Sequence, residues 1–309
     1  MKINFFEFLY KFLNNILNII YPYQCIICKE EIISNMQSLC YKCWCDLDFI
    51  DGYCNICGIL LEGQDCYICR IINYKNVYLK SLKFQLNYID KIITPLHYNK
   101  QIKNIIADFK YNKKLGYAKF FAILIFQKLY KYLFDEYFFY QSKKTQNVQW
   151  CITAIPLHNI KLKKRGYNQS DILARSLYKL LFNLSSMDKT KKNSIMYNIN
   201  KIYNFLPEQD YNSLKNLSYY NNILKRIKNN KQQANLSLTE RIENARGIFS
   251  VDCNNQLING KNIILVDDVI TSGSTINEAA RVLKEKGANL IYGVGIAKTS
   301  FHEKNEFII

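Results

Sequence analysis

"NIILVDDVITSGST", residues 262–275, joins an unbroken aliphatic run to two carboxylates and then to a stretch of hydroxyls around one glycine. Ile263, Ile264, Leu265 and Val266 carry no polar residue among them, as expected of a central parallel strand covered on both faces. Ligands of open α/β sheets sit beyond the carboxyl ends of such strands, and Asp267 and Asp268 follow there. Behind them "INEAARVLKEKG" reads as a helix and "ANLIYGVGIA" as the next strand. Strand, helix and strand within about thirty residues form a βαβ unit, which implies a parallel sheet.

The segment between the acids and the helix has its own chemistry. Thr271, Ser272, Gly273, Ser274 and Thr275 combine a flexible backbone with hydroxyls at a helix start, a cradle for a phosphate. Thr275 and Glu278 also fit a capping box. The acids would repel a phosphate, but they suit a ligand that also presents vicinal hydroxyls, and they can help hold a divalent cation. A 5-phosphorylated ribose has both features. A Walker-type nucleotide site is excluded, since no G-x-x-x-x-G-K-[ST] occurs in the chain.

Upstream, "QWCITAIPL" reads as a short buried strand running into Pro156, "KLKKRGYNQ" as a basic turn, and "SDILARSLYKLLFNL" as a helix that Ser170 or Asp171 would cap. Lys163, Lys164 and Arg165 in that turn are candidates to neutralise pyrophosphate or nucleic-acid phosphates, whereas a solvated basic turn is the plainer alternative. His158, alone in a polar loop, reads as a bystander. Apolar spacing from Gln101 to Tyr140 predicts two helices interrupted near Asn112–Gly116. Residues 185–222 lose periodicity and read as an insertion without chemistry, and residues 73–100 read as a linker.

Of 11 cysteines, nine lie between Cys25 and Cys69. Eight form Cys-x-x-Cys pairs: Cys25 and Cys28, Cys40 and Cys43, Cys54 and Cys57, Cys66 and Cys69. Two such turns complete a tetrahedral zinc site, so residues 21–72 are expected to hold two closed, structural zinc ions. Consecutive pairing gives stacked ribbons and alternate pairing a cross-braced module; the spacing leaves both open, with consecutive pairing preferred. Cys45, Cys151 and Cys253 fall outside the pattern and read as free thiols.

Residues 1–20 read as an amphipathic packing helix: Glu7, Lys11, Asn14, Asn15 and Asn18 interrupt the apolar run, and no cleavage site follows. No membrane span is expected, and the cysteines should be metal-bound or reduced in a cytoplasmic setting. The 309 residues, 49% of them hydrophobic, suffice for one medium domain and a small one. A net charge of +17 suits polyanionic partners, yet the Lys-, Asn-, Ile- and Tyr-rich composition matches AT-rich coding equally well.

"VDDVITSGST" resembles the PRPP-binding signature of type I phosphoribosyltransferases. With the upstream cysteine pairs, "IPLHNIKLKKRGYNQSDILA" and "KQQANLSLTERIENARGIFSV", nearly the whole chain resembles the ComF family, competence-associated phosphoribosyltransferase-like proteins with an N-terminal zinc ribbon. The resemblance implies an α/β domain over residues 101–309, with a parallel sheet flanked by helices, preceded by the zinc module. It assigns PRPP binding to Asp267, Asp268, Thr271, Ser272, Gly273, Ser274 and Thr275, and catalytic roles to Asp267, Asp268 and Arg165. The family's "RGFNQ" element falls on Arg165, Gly166, Tyr167, Asn168 and Gln169, and its later polar positions on Gln233, Arg241 and Asn244. Implied cofactors are zinc and, with PRPP, magnesium. Implied partners are a phosphoribosyl compound, single-stranded DNA and DNA-uptake or helicase-type proteins, in transfer chemistry or as a non-catalytic PRPP or nucleotide sensor.

Overall fold

A computed structural model describes residues 23–32, 38–50, 88–134, 149–186, 216–228, 245–251 and 255–299. The expected N-terminal helix, Cys54, Cys57, Cys66, Cys69, Gln233, Arg241 and Asn244 lie outside the described residues. The chain divides into two compact units, Met1–Leu47 and Asp48–Ile309. The boundary falls earlier than composition suggests because Asp48, Phe49 and Ile50 hydrogen-bond along the 95–97 backbone of the larger unit.

In the smaller unit a tight turn carries Cys25 and Cys28, and helix α1 (Tyr41–Cys45) carries Cys43 with Cys40 at its N-cap. Cys40 Sγ accepts from the backbone N–H of Cys43 at 3.4 Å, the inward-turned amide of a cysteine knuckle.

The larger unit is built on a five-stranded, wholly parallel sheet in the order β1-β9-β7-β3-β4, with β1 Lys91–Ile93, β3 Trp150–Ala154, β4 Ser218–Tyr219, β7 Asn262–Val266 and β9 Ile291–Val294. Every residue of β3 and β7 is buried, Thr153 and Asn262 among otherwise apolar residues, as central parallel strands require. Helices α2 (Lys100–Tyr111) and α3 (Tyr117–Phe134) match the interrupted helical spacing, the break falling at residues 112–116. Helix α5 (Gln169–Ser186) packs with α3 and against β3 and β7. Ile263 and Leu265 instead join a core with Ile276, Ala279, Ala280 and Leu283 of α6 (Ser274–Glu285), so the sheet is covered on both faces.

Three strands of this sheet break after their last residue and resume as a small parallel sheet, β2-β10-β8. Thr94 and Pro95 separate β1 from β2 (Leu96–His97), Gly295 and Ile296 separate β9 from β10 (Ala297–Lys298), and Asp267 and Asp268 separate β7 from β8 (Val269–Ile270). The acid pair therefore occupies the break in a central strand, fixed by Asp267 N–H to Val294 O at 2.9 Å and Ile296 N–H to Asp268 O at 2.9 Å.

Several boundaries differ from the sequence reading. The last ten residues of the expected linker supply β1 and β2, whose strands are too short to show an alternating pattern. The C-terminal end of the expected insertion supplies edge strand β4. It is followed by an antiparallel pair, β5 (Leu224–Arg226) with β6 (Phe249–Val251). The expected basic turn is helix α4 (Asn159–Arg165): His158 caps it by accepting from Ile160 N–H at 3.4 Å, and Gly166, at φ 85°, ends it in the left-handed conformation. Its cations crowd the last turn, where the helix dipole favours them. Neither Ser170 nor Asp171 caps α5; Asn168 does, its Oδ1 accepting from Ser170 N–H at 3.1 Å while its Nδ2 donates to Ile155 O at 2.9 Å. The capping box is also absent, because Gly273 takes the N-cap position of α6 and Glu278 accepts from Gly247 N–H while pairing with Arg281.

Candidate functional site

The acid pair is held by hydrogen bonds from α2 and α5. Asp267 Oδ1 accepts from Ser170 Oγ at 3.0 Å and from Asp268 N–H at 2.9 Å. Asp268, buried, receives Lys110 Nζ at 2.9 Å and Gln169 Nε2 at 2.5 Å, both on Oδ2. Asp267 Oδ2 and Asp268 Oδ1 have no hydrogen-bond partner among the described residues, so each acid retains an oxygen for a hydroxyl or a cation.

Asp267 keeps partial solvent exposure, yet its carboxyl lies among protein atoms. Burial first, and the Asp268 charge second, push it up to about 7, against Lys110 and the Asp268 amide, which favour the anion. Burial alone would lower Lys110; the adjacent Asp268 outweighs it and holds the ammonium protonated.

The RGYNQ element converges on the same place. Arg165 donates to Gln169 Oε1, whose amide nitrogen binds Asp268, so arginine, glutamine and aspartate form one relay. The Arg165 guanidinium also lies 5.0 Å over the Tyr111 ring. Tyr167 Oη donates to Phe109 O at 2.5 Å, tying the segment to α2 just before Lys110. Lys163 and Lys164 are exposed, and neither bonds the acid pair.

Lys161, one turn before Arg165, is half-buried instead. Burial pushes its pKa down, and Arg226, Arg165 and Lys110 add to the effect. Arg226, on β5, is lowered by burial and feels Asp267. Lys110 and Arg226 thus lie near the acids, and Lys161 lies near Lys110, Arg165 and Arg226. Sequence reading missed Lys110, Lys161 and Arg226. The four-residue spacing of Lys161 and Arg165 was a usable signal once the segment is helical; Lys110 and Arg226 come from distant elements and leave none.

The hydroxyl-rich turn precedes α6. Gly273 adopts φ 77°, a left-handed conformation costly for other residues, and is followed by the N–H groups of the first helical turn. Ser272 Oγ and Ser274 Oγ lie 2.9 Å apart, and Ser274 is buried, so its hydroxyl supports the turn. Thr271, Ser272 and Thr275 keep partial exposure.

In the smaller unit the sulfurs of Cys25, Cys28, Cys40 and Cys43 lie within 4.8 Å of one another, with Cys28 Sγ and Cys40 Sγ 3.6 Å apart. A tetrahedral zinc thiolate site needs sulfur separations of about 3.8 Å, so these four fit zinc. They realise consecutive pairing of the first two knuckles. Among the described residues no helix is long and apolar enough to cross a membrane.

A family model described as a phosphoribosyl transferase domain matches residues 215–304, and one described as a double zinc ribbon domain matches residues 16–72. The chain is 26% identical over 282 residues to Competence protein F of Haemophilus influenzae, covering 90% of this chain and 98% of that protein. It is 24% identical over 279 residues to Competence protein ComFC of Bacillus subtilis, covering 85% and 89% respectively. A shorter likeness, 51% over 47 residues, links it to the Transcriptional regulator GfcR of Methanosphaera stadtmanae, covering 15% of this chain and 23% of that protein.

Proposed function

The chain belongs to the ComF family of competence-associated proteins, and from that premise we propose that its larger unit binds Mg-PRPP and acts as a phosphoribosyltransferase in DNA uptake or nucleotide metabolism. The observation that carries this reading is the position of the acid pair in the break of a central strand, with the glycine-capped start of α6 a few residues on. Asp267 and Asp268 accept hydrogen bonds from the two ribose hydroxyls, and Thr271–Thr275 receive the 5-phosphate at the helix N-terminus.

In transfer, the bond from ribose C1 to diphosphate breaks as a bond from C1 to the acceptor forms, and positive character develops on the ring. The two carboxylates lie where they stabilise that charge; Lys161, Arg165 and Arg226 face the departing diphosphate. The carboxylate oxygens are hard donors suited to magnesium, which when bound supplies further neutralisation of the diphosphate. Zinc is structural in this reading, one ion held by Cys25, Cys28, Cys40 and Cys43 and a second by Cys54, Cys57, Cys66 and Cys69.

Pyrophosphate release from PRPP, screened against purine and pyrimidine bases, tests the enzyme reading. Metal-dependent release that is lost in the Asp267→Asn, Asp268→Asn double variant is the expected result; no release with any base refutes it. A second reading, a non-catalytic PRPP or nucleotide sensor that binds single-stranded DNA, is favoured by the exposure of Lys163 and Lys164 outside the acid-pair network. It requires steep salt dependence of DNA binding, with a slope reduced by about one for each of these lysines replaced by Gln.

A further inference from the structure

Lys110 pairs directly with the acid pair, yet it stands on α2, outside every motif that marks the site in the sequence. It holds Asp268 Oδ2 at 2.9 Å, the same oxygen that receives Gln169. Asp268 needs no ammonium for orientation alone: Gln169, itself fixed by Arg165, already binds it, and the chain direction at residues 267–268 is set by backbone bonds to Val294 and Ile296. The ion pair instead neutralises a carboxylate whose neighbour is another carboxylate.

The surroundings of Lys110 are unbalanced in the other direction. Among the described residues, Lys161 lies near Arg226, Arg165 and Lys110, and Arg226 near Asp267, so cations outnumber the two acids before any ligand enters. A ligand bringing hydroxyls to the acids and a polyanion to the cations would satisfy both groups, and Lys110 lies where they meet. Its side chain is partly exposed and has several rotatable bonds, so the ammonium can change partner without backbone movement.

We propose that Lys110 is an exchangeable counter-ion: it pairs with Asp268 in the empty site and transfers to the diphosphate when a ribose carrying that group binds. This rests on the reading of the site as one for Mg-PRPP and adds a residue, and a switch of partner, to it. The consequence is different behaviour of two ligands. A ribose 5-phosphate takes the Asp268 oxygen that Lys110 leaves open and gains nothing from the ammonium, whereas PRPP provides the ammonium with a new partner.

The test is calorimetric titration of Mg-PRPP and of ribose 5-phosphate with magnesium into the wild-type chain, Lys110→Met and Lys110→Arg. Lys110→Met should weaken PRPP about 30- to 100-fold, the scale of losing one buried charge-assisted contact, while ribose 5-phosphate binds unchanged or more tightly. Lys110→Arg should recover most of the PRPP affinity. Equal weakening of both ligands, or no change in either, would overturn the proposal while leaving the site reading intact; a wild-type chain that binds neither ligand overturns both. Thermal melts and circular dichroism check folding. If Lys110→Met does not fold, Lys110→Gln, which keeps a donor to Asp268, is read by the same comparison.

Discussion

Replacing Asp267 by Asn should change how stability depends on pH. The carboxyl is pushed from an ordinary value of 3.8 to about 7 by burial and by Asp268. Because the folded value lies above the unfolded one, the folded chain binds more protons between those limits, and stability falls as pH rises through them. At about 1.4 kcal/mol per tenfold, the full displacement corresponds to roughly 4 kcal/mol. Water at the partly exposed edge reduces the expected effect to about 2 kcal/mol. Asparagine retains an oxygen for Ser170 Oγ and the Asp268 amide, so it removes the charge with little loss of hydrogen bonding. Urea denaturation without ligand or magnesium, from pH 5 to 8, is followed through the buried Trp150 in β3. Asp267→Asn should gain stability relative to wild type as pH rises, ending about 2 kcal/mol ahead at pH 8. Parallel profiles, or a variant that loses ground as pH rises, would refute the assignment of burial and like charge as the dominant forces.

Three further outcomes follow from local geometry. Asn168→Ala removes the cap of α5 and leaves Ile155 O without its amide partner, so chemical denaturation should show a loss of about 2 kcal/mol. Gly273→Ala keeps space, its Cβ meeting Ile92 Cδ1 at 3.5 Å, but places alanine at φ 77°; it should cost about 1 kcal/mol in a melt and weaken phosphate-bearing ligands by distorting the turn. Cys40→Ser, which removes one of the four clustered sulfurs, should lower bound zinc by one ion per chain in a colorimetric release assay.

The parts legible in the sequence were those written in contiguous residues. The apolar run at 263–266 identified a covered parallel strand, the acids marked its carboxyl end, and the cysteine spacing identified knuckles before any contact among them was known. Short edge elements stayed hidden: Lys91–Ile93 and Ser218–Tyr219 are held by register against β9 and β3, with too few residues for a period. Local signals also misled where a tertiary partner won the side chain. Ser170 was a plausible cap but is engaged with Asp267; Glu278 matched a capping box but is engaged with Gly247 and Arg281. Lys163 and Lys164 stood out by sequence density, yet the helical turn of α4 exposes them and leaves Lys161 half-buried.

The central claim is that the acid pair and the turn behind it form one site for a ribose bearing phosphate and diphosphate. Calorimetric titration of PRPP with magnesium into the wild-type chain and the Asp267→Asn, Asp268→Asn double variant tests it most directly. One site per chain that depends on magnesium is expected, with affinity lost at least tenfold in the variant. Absence of binding to the wild-type chain, or equal affinity in both, would contradict it.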